Sequence, residues 1–424
     1  MTEKTPVQST DIVIVGGGMV GSCLALALAK LSLRVTLVEP YEPVDDQAPG
    51  FDARAIALSR ASAKILNSLD LWQPLKDRVT PIKDIHVSDK GRSGICRLNA
   101  EEANIPAMGY VVELESTGQV LHQALQQAEL DLRCPAKVTG IERHDLHWHV
   151  TLDHNGETIT LESAAVIAAD GANSSIRSML GLSSTEKPYN QTAIISTLQT
   201  QLPHNNQAFE RFTDKGPVAL LPLSEDRISL VWMLPPEEAA QQVAASDDEF
   251  LAALQESFGY RLGRLTRIGQ RFSYPLALKQ TVLDQSHDGV FFIGNASQSL
   301  HPIAGQGFNL GLRDVADLVD AFEDSVSHIS ADHRLSPEYI SELQQRYLAR
   351  RSDDRDHIIT LTDSLARLFA NPSKLVSVPR NLMLHGMTLA PLIRHEFGRF
   401  AMGMNHPASR LTRGIKLADK SHAH

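Results

Sequence analysis

Three short strings in this chain have residue types and spacings that could do chemistry. In the first, Gly16, Gly18 and Gly21 form GxGxxG directly behind the apolar run DIVIV, and Glu39 closes the next apolar run 18 residues after the last glycine. The tight turn needs a residue free to take an unusual φ, the second glycine lets a pyrophosphate approach the main chain, and the helix N-terminus behind them supplies amides and a positive dipole end. Glu39 would accept the two hydroxyls of an adenosine ribose. A bare carboxylate disfavours a ribose 2′-phosphate, so NADP fits this site poorly, while FAD and NAD both remain. A tight strand-to-helix turn with no ligand is the weaker reading of the whole constellation. The second string is Asp170-Gly171 followed by Ser174 and Arg177, and the third is Gly294-Asn295 followed by HPIAGQGFNLGLRD.

Each string needs an element to hold it. DIVIVGGG is a continuous β-branched run of the kind found in strands covered on both faces, residues 19–31 have helical composition, and LRVTLVE (33–39) reads as a second buried strand. Strand, glycine turn, helix and strand within forty residues make a βαβ opening. Buried strands are likewise expected at AAVIAADG and at 290–294, each ending in glycine, with a helix from Gln306 to Phe322 after the second. Further helices are expected over 53–69, 120–130 and 336–351. Between these pieces the period changes to two. LHWHVTL, the turn residues Asn155-Gly156 and TITLES predict a hairpin, and PVALLPL and RISLVWML predict an antiparallel pair. The expected fold is α/β, with a discontinuous Rossmann-like dinucleotide domain, an inserted antiparallel-sheet substrate domain and a helical C-terminal region. The expected boundaries are 1–185, with embedded sheet strands, then 186–280, 281–372 and a basic helical tail over 373–424.

Composition narrows the function classes. The chain has 424 residues, 42% hydrophobic, enough to bury a substantial core, so disorder is not its main state. A formal charge of −10 and 5% aromatic residues argue against a nucleic-acid partner. Cys23, Cys96 and Cys134 form no CxxC pair and suit a reducing compartment. The opening MTEKTPVQST has neither an apolar h-region nor an arginine-rich amphipathic stretch, so the expected location is the cytoplasm. His144, His147 and His149 lie on an alternating strand with no cysteine or carboxylate completing a metal-ligand spacing, and read as exposed polar positions, so no metal is expected.

The order GxGxxG, DGxxSxxR and GN with PxxGxGxN resembles the class A flavoprotein aromatic hydroxylases over essentially the whole chain. The strings GNASQSLHPIAGQGFNLGLRD, DARAIALS and ELESTGQVLHQAL resemble the ubiquinone-biosynthesis branch of that family most, and within it the 2-polyprenyl-6-methoxyphenol hydroxylase type. The resemblance implies FAD as cofactor and NAD(P)H as co-substrate. It also implies a polyprenyl phenol and O2 as substrates, with ring hydroxylation through a flavin C4a-hydroperoxide. Hydroxylation of another ring position in the same pathway, a flavin-dependent isoprenoid reductase and a non-catalytic assembly subunit are the alternatives.

The resemblance also assigns residues. Gly16, Gly18, Gly21 and Glu39 belong with the adenosine end of FAD, Arg54 with its pyrophosphate, and Asp170 with FAD and the nicotinamide nucleotide. Asn295 stands where the family usually has aspartate. Its carbonyl can accept from a ribityl hydroxyl but brings no charge. Gly118 stands where many relatives carry a side chain that reaches the flavin, and Gln119 is the candidate substitute. From Pro302 through Gly305, Gln306, Gly307, Phe308 and Asn309 the loop enters a helix whose first amides would face the flavin where the reduced form carries negative charge. His301, beside Pro302, is a candidate proton relay for a phenol, the alternative being a histidine that packs the loop. Arg177 is expected either at the nucleotide or in a salt bridge at a helix N-terminus.

Residues 373–424 hold eight Lys or Arg against two acids, with Leu389, Ile393, Phe397, Phe400 and Met404 at helical spacing. Such a helix would cap the body of the protein. The other reading, a peripheral contact with the inner membrane face or with a ubiquinone-synthesis complex, suits a substrate with a polyprenyl chain.

Overall fold

The computed structural model describes residues 7–31, 33–42, 54–282, 287–299, 306–326, 335–370, 386, 396–399, 402–404 and 409–417. The fold is mixed α/β. Strands Ile12–Val15, Val35–Val38 and Ala165–Ala168 are buried at every residue, as β-branched runs without a polar alternate must be. They form the centre of a parallel five-stranded sheet in the order Val290–Phe292, Ala165–Ala168, Ile12–Val15, Val35–Val38, Asp131–Arg133. Pieces nearly 280 residues apart therefore share one sheet, which puts all three glycine-bearing strings at the C-terminal ends of adjacent strands.

Alternate residues of one strand serve two cores. Ile12 and Ile14 pack with the helices Met19–Ala29 and Gln306–Val326, whereas Val13 and Val15 pack with Trp148, Val150 and Leu152. The latter belong to the predicted hairpin, which forms with Asn155 and Gly156 at φ 55° and 85°, the two positive values that a tight hairpin turn demands.

The second large sheet runs through Gln298–Ser299, Phe272–Thr281, Ser184–Thr200, Arg227–Leu234, Val218–Pro222, Gln207–Phe212, Asp84–Asp89 and Ile95–Asn99, with Leu265–Ile268 paired beside Ser184–Thr200. It thus draws strands from 84–99 as well as from the expected 186–280 stretch. Two helices, Pro236–Ala244 and Asp247–Phe258, interrupt the stretch expected to be sheet alone. The second opens with a capping box between Ser246 and Glu249 and buries Phe250, Leu254 and Phe258 against one face of the sheet.

Three expected helices differ in extent. Residues 53–69 do not form one helix. Ala55–Ser59 is a strand paired antiparallel with Gly109–Glu113, and Ser59, whose hydroxyl accepts from the Ser62 amide, starts the helix Arg60–Ser68. The helix expected over 120–130 spans Leu114–Gln127, and that expected over 336–351 runs on as Pro337–Ala370. No helix among the described residues is long and apolar enough to cross a membrane.

Leu389, Ile393 and Phe400 of the tail stripe, and most of the tail itself, lie outside the described residues. Phe397 and Met404 pack against the cluster that contains Met108 and Met402. Leu411 enters the main core, and Arg410 pairs with Glu323 at 2.8 Å and Asp324 at 2.6 Å.

Candidate active site

The turn after Ile12–Val15 is set by Gly16, at φ +105° with its amide donating to the Val38 carbonyl at 2.8 Å. A side chain there would strike the Ala169 carbonyl, and Gly21 packs as closely on the carbonyl of Gly16. Glu39 faces this turn. Its carboxylate accepts from the amides of Gly17 at 2.6 Å and Tyr41 at 3.0 Å, so Gly17, which the sequence pattern passes over, is the turn's link to the acid. Gly18 opens instead on free space, with nothing within 4 Å of where a Cβ would stand.

Asp170 caps the short helix Ser175–Met179, taking the Ser175 amide at 2.7 Å and hydroxyl at 2.9 Å on Oδ2. Its Oδ1 is enclosed with no partner among the described residues. Arg177 forms no salt bridge among the described residues. It donates to the carbonyls of Ala172 at 2.7 Å and Ala296 at 3.4 Å, and so ties the second string to the third. Asn295 is exposed on a cavity.

The loop that carries Asn295 is held from behind by buried charge. The Gly294 amide donates to Asp314 Oδ2 at 2.8 Å, and Asp314 Oδ1 accepts from Arg351 Nε at 2.8 Å. Arg351 also reaches Asp317 at 3.2 Å and Asp354 at 2.5 Å. Burial works against the Arg351 charge, but Asp314, Asp317 and Asp354 outweigh it and hold the guanidinium above its ordinary pKa. Asp354 is the local i,i+3 partner on the same helix, whereas Asp314 and Asp317 come from another helix and do not follow from local spacing.

His301, Pro302 and Gly305 lie outside the described residues, as does the side chain of Gln306. Beyond them Gly307, Phe308 and Asn309 begin the helix on the cavity wall. The Asn309 side chain is a staple between elements 250 residues apart. Its Oδ1 accepts from the Ser59 amide and the Ser62 hydroxyl, both at 2.7 Å, and its Nδ2 donates to the Ala57 carbonyl at 3.0 Å.

Of the residues singled out from the sequence, Gly18, Asn295, Gly307, Phe308 and Asn309 meet around one cavity of about 680 Å³. Arg54 is exposed. It donates to the Tyr274 hydroxyl at 3.3 Å and lies 5.6 Å from the Phe272 ring centre, linking its strand to the large sheet. Gln119 does not line the cavity and accepts from Arg78 at 2.9 Å. Much of the rest of the cavity wall is apolar, built from residues such as Ile85, Val87, Ala193, Leu221 and Val231. One acid interrupts it, Glu210.

This donor set fits a flavin dinucleotide. Open space lies beside Gly18 and Gly307 on the cavity, which a side chain would partly fill, an enclosed carboxylate oxygen of Asp170 lacks a partner among the described residues, and the Asn295 amide is exposed on the cavity. The model of the FAD binding domain family matches residues 9–346. The chain belongs to this family.

The flavoprotein is 34% identical over 413 residues to the ubiquinone hydroxylase UbiL of Rhodospirillum rubrum, covering 96% of this chain and 93% of that one. It is 32% identical to the 3-demethoxyubiquinol 3-hydroxylase of Escherichia coli, over 94% of this chain and 99% of the relative. Its fold is that of p-nitrophenol 4-monooxygenase from Pseudomonas putida, with a TM-score of 0.75 at 17% identity, over 95% of this chain and 100% of that one. The protein is an FAD-dependent monooxygenase with NAD(P)H as co-substrate. Bound FAD supplies the redox chemistry that activates O2. The chain's own contribution is to cradle the dinucleotide on glycine-lined loops, to fix those loops through Asp314, Arg177 and Asn309, and to keep water from the apolar side of the cavity.

Proposed function

We propose that the flavoprotein hydroxylates the aromatic ring of a polyprenyl phenol in ubiquinone biosynthesis, with 2-polyprenyl-6-methoxyphenol as the substrate. The observation that carries this reading is the cavity itself. Its volume of about 680 Å³ lies between the glycine-lined loops and an apolar sheet face, so a ring held there would sit beside the cofactor loops with its chain against apolar walls. Pathway membership is supported by the two relatives named for ubiquinone and demethoxyubiquinol hydroxylation. The name of the second relative also favours one other reading, hydroxylation at a different position of a later ring precursor. In the proposed site Gly16, Gly18, Gly21 and Glu39 hold the adenosine half of FAD. Arg54 serves the pyrophosphate, Asp170 the FAD and the nicotinamide nucleotide, Asn295 a ribityl hydroxyl and the residues from Pro302 to Asn309 the flavin ring, with His301 as the proton relay for the phenol.

The test gives FAD-loaded protein NADPH, O2 and either short-chain 2-prenyl-6-methoxyphenol or the corresponding demethoxyubiquinol, followed by product analysis. A hydroxylated methoxyphenol supports the main reading, and turnover of the quinol alone supports the second. Recovery of both compounds unchanged, with reduced flavin and oxygen present, sinks the assignment.

A further inference from the structure

Glu210 lies in the strand Gln207–Phe212, with Ala219 opposite on one neighbouring strand and Val87 on the other. Ala208, Glu210 and Phe212 share one face of that strand by its period of two, and all three line the cavity. The sequence ERF thus puts an acid where the pattern calls for an apolar side chain. Its Oε1 is enclosed with no hydrogen-bond partner among the described residues. The charges near it are engaged elsewhere. Asp89, on the same sheet face, lies 3.3 Å from Arg92, while Arg211 turns to the other face and donates to the Ser257 carbonyl at 3.1 Å. Burial alone pushes the Glu210 carboxyl up to about 7, the range useful for exchanging a proton at neutral pH.

A carboxyl oxygen enclosed without a partner costs stability, so a donor brought by the ligand is the physical account of its place. We propose that Glu210 is a catalytic residue that receives the phenolic hydroxyl of the substrate, orienting the ring and accepting its proton. The inference rests on the ring-hydroxylase reading. In the step, the phenolic O–H bond breaks, the proton passes to the carboxylate, and the electron pair stays on the oxygen, which makes the ring a better nucleophile. The proton returns to the oxygen after the ring is hydroxylated, leaving Glu210 unchanged over the cycle.

The experiment compares FAD-loaded wild type with Glu210→Gln. It measures dissociation constants for short-chain 2-prenyl-6-methoxyphenol and its O-methyl ether by flavin absorbance, and turnover from pH 6 to pH 10. Wild type is expected to prefer the phenol about tenfold or more, the worth of a hydrogen bond to a charged group. Glu210→Gln is expected to lose most of that preference while binding the ether as before. Its turnover should fall at neutral pH and recover as pH rises and solvent ionises the phenol. An undiminished phenol preference with an unchanged pH profile overturns the role of Glu210. Should Glu210→Gln lose FAD, Glu210→Asp carries the same comparison, with a reduced preference expected and a full one overturning the proposal. The two readings separate cleanly. A wild type that prefers the phenol through Glu210 but returns it unchanged sinks the hydroxylase reading alone, and one that hydroxylates it equally well without the acid sinks the Glu210 role alone.

Discussion

Arg351 is buried and Glu210 is half-buried on the cavity wall with one oxygen enclosed, and their surroundings could hardly differ more. Arg351 is 3% exposed and meets three carboxylates, one of which carries the contact on to the Gly294 amide. Glu210 has apolar neighbours across both strands and an enclosed oxygen without a partner among the described residues. Charge buried in company fixes geometry, because each carboxylate meets the shared guanidinium and none can move without leaving charge uncompensated. Charge buried alone fixes nothing, and its cost makes sense only where a ligand completes it.

Removing the shared cation of the Arg351 cluster should have the largest effect. Arg351→Ala leaves Asp314, Asp317 and Asp354 without their shared cation, for a loss of about 3–5 kcal/mol in denaturant unfolding and weakened FAD retention. If its stability and FAD content match wild type, the cluster does not hold the loop. Asn309→Ala strips the partners from the Ser59 amide and the Ala57 carbonyl and should cost about 2–3 kcal/mol by the same measurement.

Glu210→Gln should go the other way, and in a pH-dependent manner. The unfolded chain ionises Glu210 near 4.5, whereas the folded protein holds its proton up to about 7. The native state therefore binds the extra proton between these values, and its stability falls as pH rises through that window. Glutamine abolishes the fall, so the variant should be more stable than wild type by about 1–3 kcal/mol at pH 8 and nearly equal to it at pH 4. Melting curves at the two pH values check this, and a pH-independent difference would count against a solitary buried acid. The smallest effect belongs to Gln119→Ala, within about 0.5 kcal/mol, because its side chain meets Arg78 at the surface. A fall in FAD retention there would show that Gln119 reaches the flavin after all.

The same contrast explains what could be read in the sequence. The glycine turn, Glu39 and the buried strands around them are local in chain order, and their β-branched runs admit few other structures. The hairpin at Asn155-Gly156 was legible for the same reason. Residues 55–59 were not, because AIALS has the composition of a helix and becomes a strand only by pairing with Gly109–Glu113. The helices over 236–258 did carry signals, a proline at the first turn and the Ser246/Glu249 box, which the surrounding strand-like segments obscured. Arg351 pairs with a residue 37 positions away, a relation that no periodicity encodes. Glu210 lies between the two cases. Its alternation with Ala208 and Phe212 was visible, but that this face borders a cavity was not.

The edge strand Val290–Phe292 has a further consequence for how the protein is made. It pairs with Ala165–Ala168, and synthesis runs through more than 120 intervening residues before it can do so. During that interval the nascent chain on the ribosome presents an open, apolar parallel edge, and the loop that bears Asn295 does not yet exist. Such an edge is a template for wrong pairing. Translation that stalls before residue 290 should therefore yield an aggregating, chaperone-dependent fragment with no capacity to take up FAD.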